Sequence, residues 1–209
     1  MTPRRIEHFL RVLAAQLNRP ARAYVTGAAA AALWGRVRPS VDIDLGIELT
    51  GPRSRRDWQA VETAVERTRH LTGIPANVAE DIDRWGMITL LDYRRSSRRH
   101  RRFEQLDVRL LHPTNWSIGK VTRFLDSDVR DVVSVFRGKG VKPNAAATTW
   151  GRALRASPPS TAQFQFRRNV DYFFTHYGRA IWGRAFDIAV AVRAFERAAG
   201  VVRSPGSST

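Results

Sequence analysis

Cysteine is absent from the 209 residues, which excludes disulfides and any thiolate metal site. Long apolar runs are missing too. The best candidate, "AFDIAVAVRAF", is interrupted by Asp187 and Arg193 and falls short of the roughly 20 apolar residues that a membrane-spanning helix needs. No membrane partner is expected. The opening "MTPRRIEHFLRVLAAQL" puts arginines before apolar residues, but Glu7, His8 and Arg11 break up a secretory core. Ile6, Phe9, Leu10, Leu13 and Leu17 instead recur at helical spacing, which predicts an amphipathic helix over about 3–18. With neither leader nor cysteine, a cytoplasmic location is expected. Lysine is scarce: Lys120, Lys139 and Lys142 are the only three, so nearly all the positive charge is arginine. Acids are outnumbered, 19 against 35 basic residues, for a formal net charge of +16. Such an excess attracts phosphate polymers at long range, and a nucleic-acid partner is favoured over an acidic protein. The five histidines are scattered without ligand spacing.

The chain holds no internal repeat. After the first helix, "AYVTG" reads as a short strand, and Gly27 opens an alanine-rich helix ending near Gly35. A strand follows over about 41–48, then "GPRSRRDWQAVETAVERTRHLTG" reads as a helix stopped by Gly73. "GMITLLDYR" and "FEQLDVRLL" read as two strands joined by "RSSRRHRR", a basic hairpin tip. From Pro113 the pattern turns helical, with Ser127 as an N-cap and Gly138 as a stop. "SPPS" breaks the chain at 157–160, and two further helices, about 160–177 and 179–199, are expected to meet at Gly178. Phe164, Phe166, Phe173, Phe174 and Tyr177 read as helix core. The fold class expected is α+β: a mixed sheet flanked by helices over 1–112, a helical region over 113–200, and a disordered tail over 201–209.

The chemistry concentrates in one strand. Val41, Ile43, Leu45 and Ile47 form one face of it, and Asp42, Asp44, Gly46 and Glu48 the other. Like charges on one face repel, so that face meets either water or something cationic. Asp42 and Asp44 project the same way and can share a divalent cation, for which Mg²⁺ with its oxygen ligands is the natural choice. Asp107 lies on the polar side of "LDVRL". If that strand lay beside the first, three carboxylates would converge and could hold two metals about 3.5–4 Å apart, the arrangement of in-line phosphoryl chemistry. Thr26, Gly27 and Ala28, where a strand turns into a helix, could present backbone donors to a phosphate. Arg36 and Arg38 flank this region and could touch phosphates, or could be ordinary loop arginines.

In the order strand, Gly27, helix, "DID", strand with Asp107, the chain resembles the polymerase-β-type nucleotidyltransferase superfamily. "G-A-x13-D-I-D" with the preceding "R-P-S" is similar to abortive-infection toxin nucleotidyltransferases and related minimal enzymes of toxin–antitoxin loci. "KVTRFLDSDVRDVVSVF" resembles the helical region that follows their third acid, where a lysine and spaced acids recur. The match covers roughly 23–136. The resemblance implies Asp42 and Asp44 as metal ligands, Asp107 as third ligand or base, Gly27 as the phosphate turn and Lys120 as a triphosphate contact. Ala28 departs from the pattern, which usually has Gly or Ser there, and a hydroxyl is lost. The expectation is a magnesium-dependent enzyme that transfers a nucleoside monophosphate from a nucleoside triphosphate to RNA, tRNA in particular, as the toxin of a toxin–antitoxin or phage-defence pair with a cognate antitoxin. Two rivals stand beside it: an antitoxin-type enzyme that transfers AMP to a toxin protein, and an inactive fold that binds RNA or a partner.

Overall fold

The computed structural model describes residues 1–35, 41–52 and 54–200. The RVRPS segment with Arg36 and Arg38, and the tail expected over 201–209, lie outside the described residues. The chain divides into two compact units, one of residues 1–85 and 92–112, the other of 86–91 and the chain from 113 onward.

The first unit is α+β. Helix α1 (Pro3–Gln16) starts on a proline and is capped by the Thr2 hydroxyl, which accepts from the Arg5 N–H. Strand β1 (Ala21–Thr26) leads directly into α2 (Gly27–Leu33), and β2 (Ile43–Leu49) returns antiparallel to β1. Helix α3 (Arg55–Thr72) opens on a capping box between Ser54 and Asp57 and ends on Gly73 at φ 64°. After β3 (Ala76–Ala79), one 3₁₀ turn (Ile82–Trp85) and the short α4 (Tyr93–Ser96) come β4 (Arg98–Phe103) and β5 (Leu106–Leu110). The strands form one mixed sheet in the order β3-β2-β1-β5-β4. Ala23 and Val25 of β1 stand beside Ile47 and Leu45 of β2 and beside Val108 and Leu110 of β5. These side chains are buried, as are Ile6, Phe9, Leu10 and Leu13 of α1 and Val61 and Val65 of α3.

Three strand expectations need correction. "GMITLLDYR" is not a strand: residues 86–91 are irregular, and Tyr93 opens α4. "RSSRRHRR" is not a hairpin tip, because Arg95 lies in α4, Arg98, Arg99, Arg101 and Arg102 form edge strand β4, and the turn falls at Glu104–Gln105. Val41 lies before β2 and is 81% exposed, so it does not belong to the buried face. Strand β3, beginning at Ala76, was legible only as a weak alternation and was not expected.

In the second unit, α5 (Pro113–Arg123), α6 (Asp126–Lys139), α7 (Pro143–Ala156), α8 (Thr161–Trp182) and α9 (Ile188–Ala199) surround an aromatic core. Trp150 stacks on Phe136 at 5.8 Å, meets Phe173 edge-on at 5.5 Å, and donates its indole N–H to Ser117 Oγ at 2.9 Å. Phe166, Phe173 and Phe174 are core as expected, but Phe164 is 66% exposed. Helix α6 begins at Asp126, one residue before the expected cap Ser127, and ends on Gly140 at φ 61° rather than on Gly138. The break expected at Gly178 does not occur. Helix α8 runs through it to Trp182, because the missing side chain makes room for the Phe186 ring, which a Cβ would meet at 2.1 Å.

Helices α7 and α9 approach closely at Gly151, where a Cβ would sit 2.4 Å from the Phe195 carbonyl oxygen and 2.6 Å from Ala198 Cβ. Backbone cannot yield as a flexible side chain does. Gly151→Ala is therefore expected to destabilise the helical unit by about 1–3 kcal/mol. Gly119→Ala in α5, where a Cβ meets nothing within 4 Å, gains helix propensity and serves as the control. Urea unfolding followed by tryptophan fluorescence measures both; equal midpoints for the two variants would contradict the close approach.

Candidate active site

The polar face of the sheet is sorted by register. On β1, Arg22 stands opposite Glu48 of β2 and beside Asp107 of β5, while Thr26 stands opposite Asp44. At the first end the carboxylates meet the protein's own cations. Glu48 accepts from the Tyr24 hydroxyl at 2.8 Å and lies 3.9 Å from Arg22 and 3.7 Å from Arg94. Arg94 also pairs with Asp81 at 3.0 Å. Burial pushes the Asp81 carboxyl upward, but hydrogen bonds from the Asp83 N–H, Arg94 and the Tyr93 hydroxyl outweigh it and hold the pKa below the ordinary value.

Asp107 belongs to this end, and that corrects the three-acid expectation. Arg99 donates to it at 2.7 Å and Arg109 lies at 3.5 Å. Its level on the sheet is that of Arg22, four residues from Thr26 and Asp44, which amounts to roughly 13 Å along the strands and about 10 Å across them. Position 111, on the same face and four residues further along, holds a leucine. The sheet thus does not bring Asp107 to the Asp42–Asp44 pair.

The other end is different. Asn77, opposite Asp44 on β3, donates from Nδ2 to Asp42 Oδ2 at 3.0 Å and to Asp44 Oδ1 at 2.9 Å. One amide thus draws two like charges together. Gly27 takes φ 61° directly after β1, and a Cβ there would lie 2.2 Å from Asp44 Oδ2. Here a glycine is required twice, by its backbone conformation and by the carboxylate against it. Thr26 precedes α2, but its hydroxyl makes no capping bond, and Ala28 is the second residue of that short helix. Beside the pair a cavity of about 720 Å³ is lined by Asp44, Asn77, Glu62, Glu66, Arg69 and Trp85, among others. Trp85 is 46% exposed.

The donor set suits a hard divalent cation. Asp42, in the bend just before β2, and Asp44, on β2, offer carboxylate oxygen to one point, and a half-turn of the Asn77 amide would add a third oxygen. Among the described residues, no three His, Cys, Asp or Glu side chains are gathered closely enough to hold a metal. A cation here would rely on the two carboxylates and on oxygens of its substrate. Sequence reasoning missed Asn77, although Ile74, Ala76 and Val78 alternate around it and already put it on a polar strand face.

Lys120 lies in the second unit. It is 3% exposed and donates to Asp128 Oδ1 at 2.8 Å and Asp131 Oδ2 at 2.6 Å, while Arg123 holds Asp128 from the other side. Burial raises the pKa of Asp128, but the hydrogen bonds from Arg123 and Lys120 prevail and hold it below the ordinary value. Arg38 lies outside the described residues. Among the described residues no helix is long and apolar enough to cross a membrane.

Removing Lys120 would leave two buried carboxylates without their shared cation. Lys120→Met is expected to cost about 3–5 kcal/mol in urea unfolding. Because the pKa of Asp128 is lowered on folding, its contribution is complete above the unfolded value of about 3.9 and is lost as pH falls through the folded one. Stability measured from pH 6 down to 2 should fall less steeply in Asp128→Asn than in the parent protein; parallel curves would contradict the depressed pKa. Against protein-family models, curated proteins and solved structures, the chain has no match.

Proposed function

We propose that this chain is a magnesium-dependent nucleotidyltransferase acting on RNA. The observation that carries the reading is the convergence of Asp42 and Asp44 on the Asn77 amide, with Asp44 pressed against Gly27 where β1 becomes α2. The resemblance to toxin nucleotidyltransferases supports the same residues in the same order, and tRNA as the acceptor. The net charge of +16 supports a polyanionic acceptor over a small one.

In the reaction, the acceptor hydroxyl oxygen gives up its proton to water and forms a bond to the α-phosphorus of the triphosphate, the bond from that phosphorus to the bridging oxygen breaks, and pyrophosphate leaves with that electron pair. Magnesium, when bound, neutralises triphosphate charge and acidifies the acceptor hydroxyl. Asp42 and Asp44 bind through oxygen, and Asn77 keeps their carboxylates in a fixed relation. Gly27 leaves the space that the Asp44 carboxylate occupies. Positioning and charge compensation carry most of such catalysis.

A second reading is favoured by Asp107, which is taken up by Arg99 and Arg109. With no third acid gathered at the pair among the described residues, the fold would serve as an RNA- or partner-binding module without transfer.

Incubation with labelled triphosphates, Mg²⁺ and total tRNA decides between them. Transfer of label to RNA is expected, abolished in Asp42→Asn and Asp44→Asn and reduced about 10- to 100-fold in Asn77→Ala, as for residues that orient metal ligands. Asp107→Asn should leave transfer largely intact. No transfer by the parent protein, with salt-sensitive RNA binding retained, selects the binding module. Label on a co-purified protein selects a protein acceptor.

A further inference from the structure

The arginines of "RRHRRF" are not used by the site above. They form β4, an outer strand of the sheet. A β-bulge at His100 sets their directions. Arg98 and Arg101 stand beside Leu110 and Val108, on the face that carries the core, whereas Arg99 and Arg102 stand beside Arg109 and Asp107, on the polar face. Strict alternation would have put Arg98 and Arg102 on the same side; the extra residue turns them to opposite faces, so that each face carries one of the two. On the core side α1 extends the surface. Its Glu7 accepts from Arg101 at 2.8 Å and contacts His100, and its Arg11 lies over the Phe103 ring at 5.6 Å. Arg4 and Arg11 are exposed along the same helix face.

Charged residues and a bulge on an outer strand also guard against sheet-to-sheet pairing. That role needs charge but not charge of one sign. Here Asp107 and Glu7 answer Arg99 and Arg101, while neither Arg98 nor Arg102 is in an ion pair among the described residues. Arg102 instead donates to the Glu104 carbonyl at 2.8 Å, which holds its guanidinium at the strand margin. The result is a basic ridge, cationic on both flanks, in which Arg98 to Arg102 span three residues of β5, about 10 Å.

We propose that this ridge grips double-helical RNA through its phosphates, one backbone strand to each flank. The proposal rests on RNA as the acceptor in the reading above and names the form of RNA that is held. A ridge with guanidinium groups on both sides meets two phosphate strands at once, which a duplex presents across a groove and a single strand does not. Single-strand binders add exposed aromatic rings on which bases stack. On β4 the one aromatic residue, Phe103, is 7% exposed and lies under Arg11 and Arg101. Phosphate contacts of this kind carry affinity without sequence preference.

The test measures binding of a labelled 20-base-pair RNA duplex and of one of its strands, by fluorescence anisotropy across a salt series, without triphosphate or magnesium. Arg98→Gln/Arg102→Gln is compared with Arg56→Gln/Arg67→Gln on α3, which removes the same charge from another exposed surface. The parent protein should prefer the duplex. The β4 double variant should bind it at least about tenfold more weakly, and the slope of log affinity against log salt should drop by about 2, one for each phosphate no longer held. The α3 variant should keep the parent slope. Equal losses in both variants, a preference for the single strand, or tight binding of polyglutamate in place of RNA would each overturn the proposal. Circular dichroism confirms that both variants are folded. Transfer activity is read separately: inactivity with the duplex preference intact discards the enzyme and leaves the ridge, while unchanged duplex binding in the β4 variant discards the ridge and leaves the enzyme.

Discussion

The register of β1 against its two neighbours governs the charge distribution of the whole sheet. Arg22 stands level with Glu48 on one side and Asp107 on the other, and Thr26 stands level with Asp44. Because side chains alternate, a slip of one residue would turn every apolar group of a strand to the wrong face and is strongly resisted. A slip of two keeps the core buried and only changes which polar groups meet. The choice among even slips therefore falls to turns and cross-strand polar partners, such as the Tyr24–Glu48 contact between β1 and β2 and the Arg99–Asp107 pair and tight Glu104–Gln105 turn between β4 and β5. That choice gathers arginines around Glu48, Asp81 and Asp107, and sets Asp42 and Asp44 at the opposite end with Asn77.

The two ends illustrate different answers to the same electrostatic problem. Where Arg22, Arg94, Arg99 and Arg109 surround carboxylates, each negative charge has a fixed counter-charge from the chain. At Asp42 and Asp44 an amide lines up two anions through its two N–H bonds, contributing hydrogen bonds without a formal charge. An amide between paired carboxylates aligns them without adding a charge of its own. In the helical unit the solution differs again: Lys120 joins Asp128 and Asp131 in a buried cluster, and the exposed Arg123 reaches in to Asp128. Such a cluster needs all its members, since the desolvation of each charge is offset only by its partners.

Much of the fold was legible beforehand because its signals are local. The spacing of Ile6, Phe9, Leu10 and Leu13 marks α1, Gly73 ends α3, and alternation around Leu45 and Ile47 marks β2. The departures have separate causes. Arginine side chains obscured β4, since a strand with so few apolar residues lacks the pattern by which strands are recognised. Gly178 resembled a helix stop because a glycine required for close packing and one required for chain reversal are the same letter. Asn77 lay on a strand of four residues, too short for its alternation to stand out.

Of the candidate site, the sequence by itself determined which side chains share a face: Asp42 with Asp44, and Asp107 with Arg109, through the two-residue period of an extended chain. It also determined the large positive charge, a matter of composition alone. Tertiary structure decided the level at which each strand sits, and so which carboxylates became neighbours. It separated Asp107 from the pair and supplied Asn77 in its place. The physical reason is that hydrophobic burial distinguishes the two faces of a strand sharply and is almost indifferent to a shift by one full pleat.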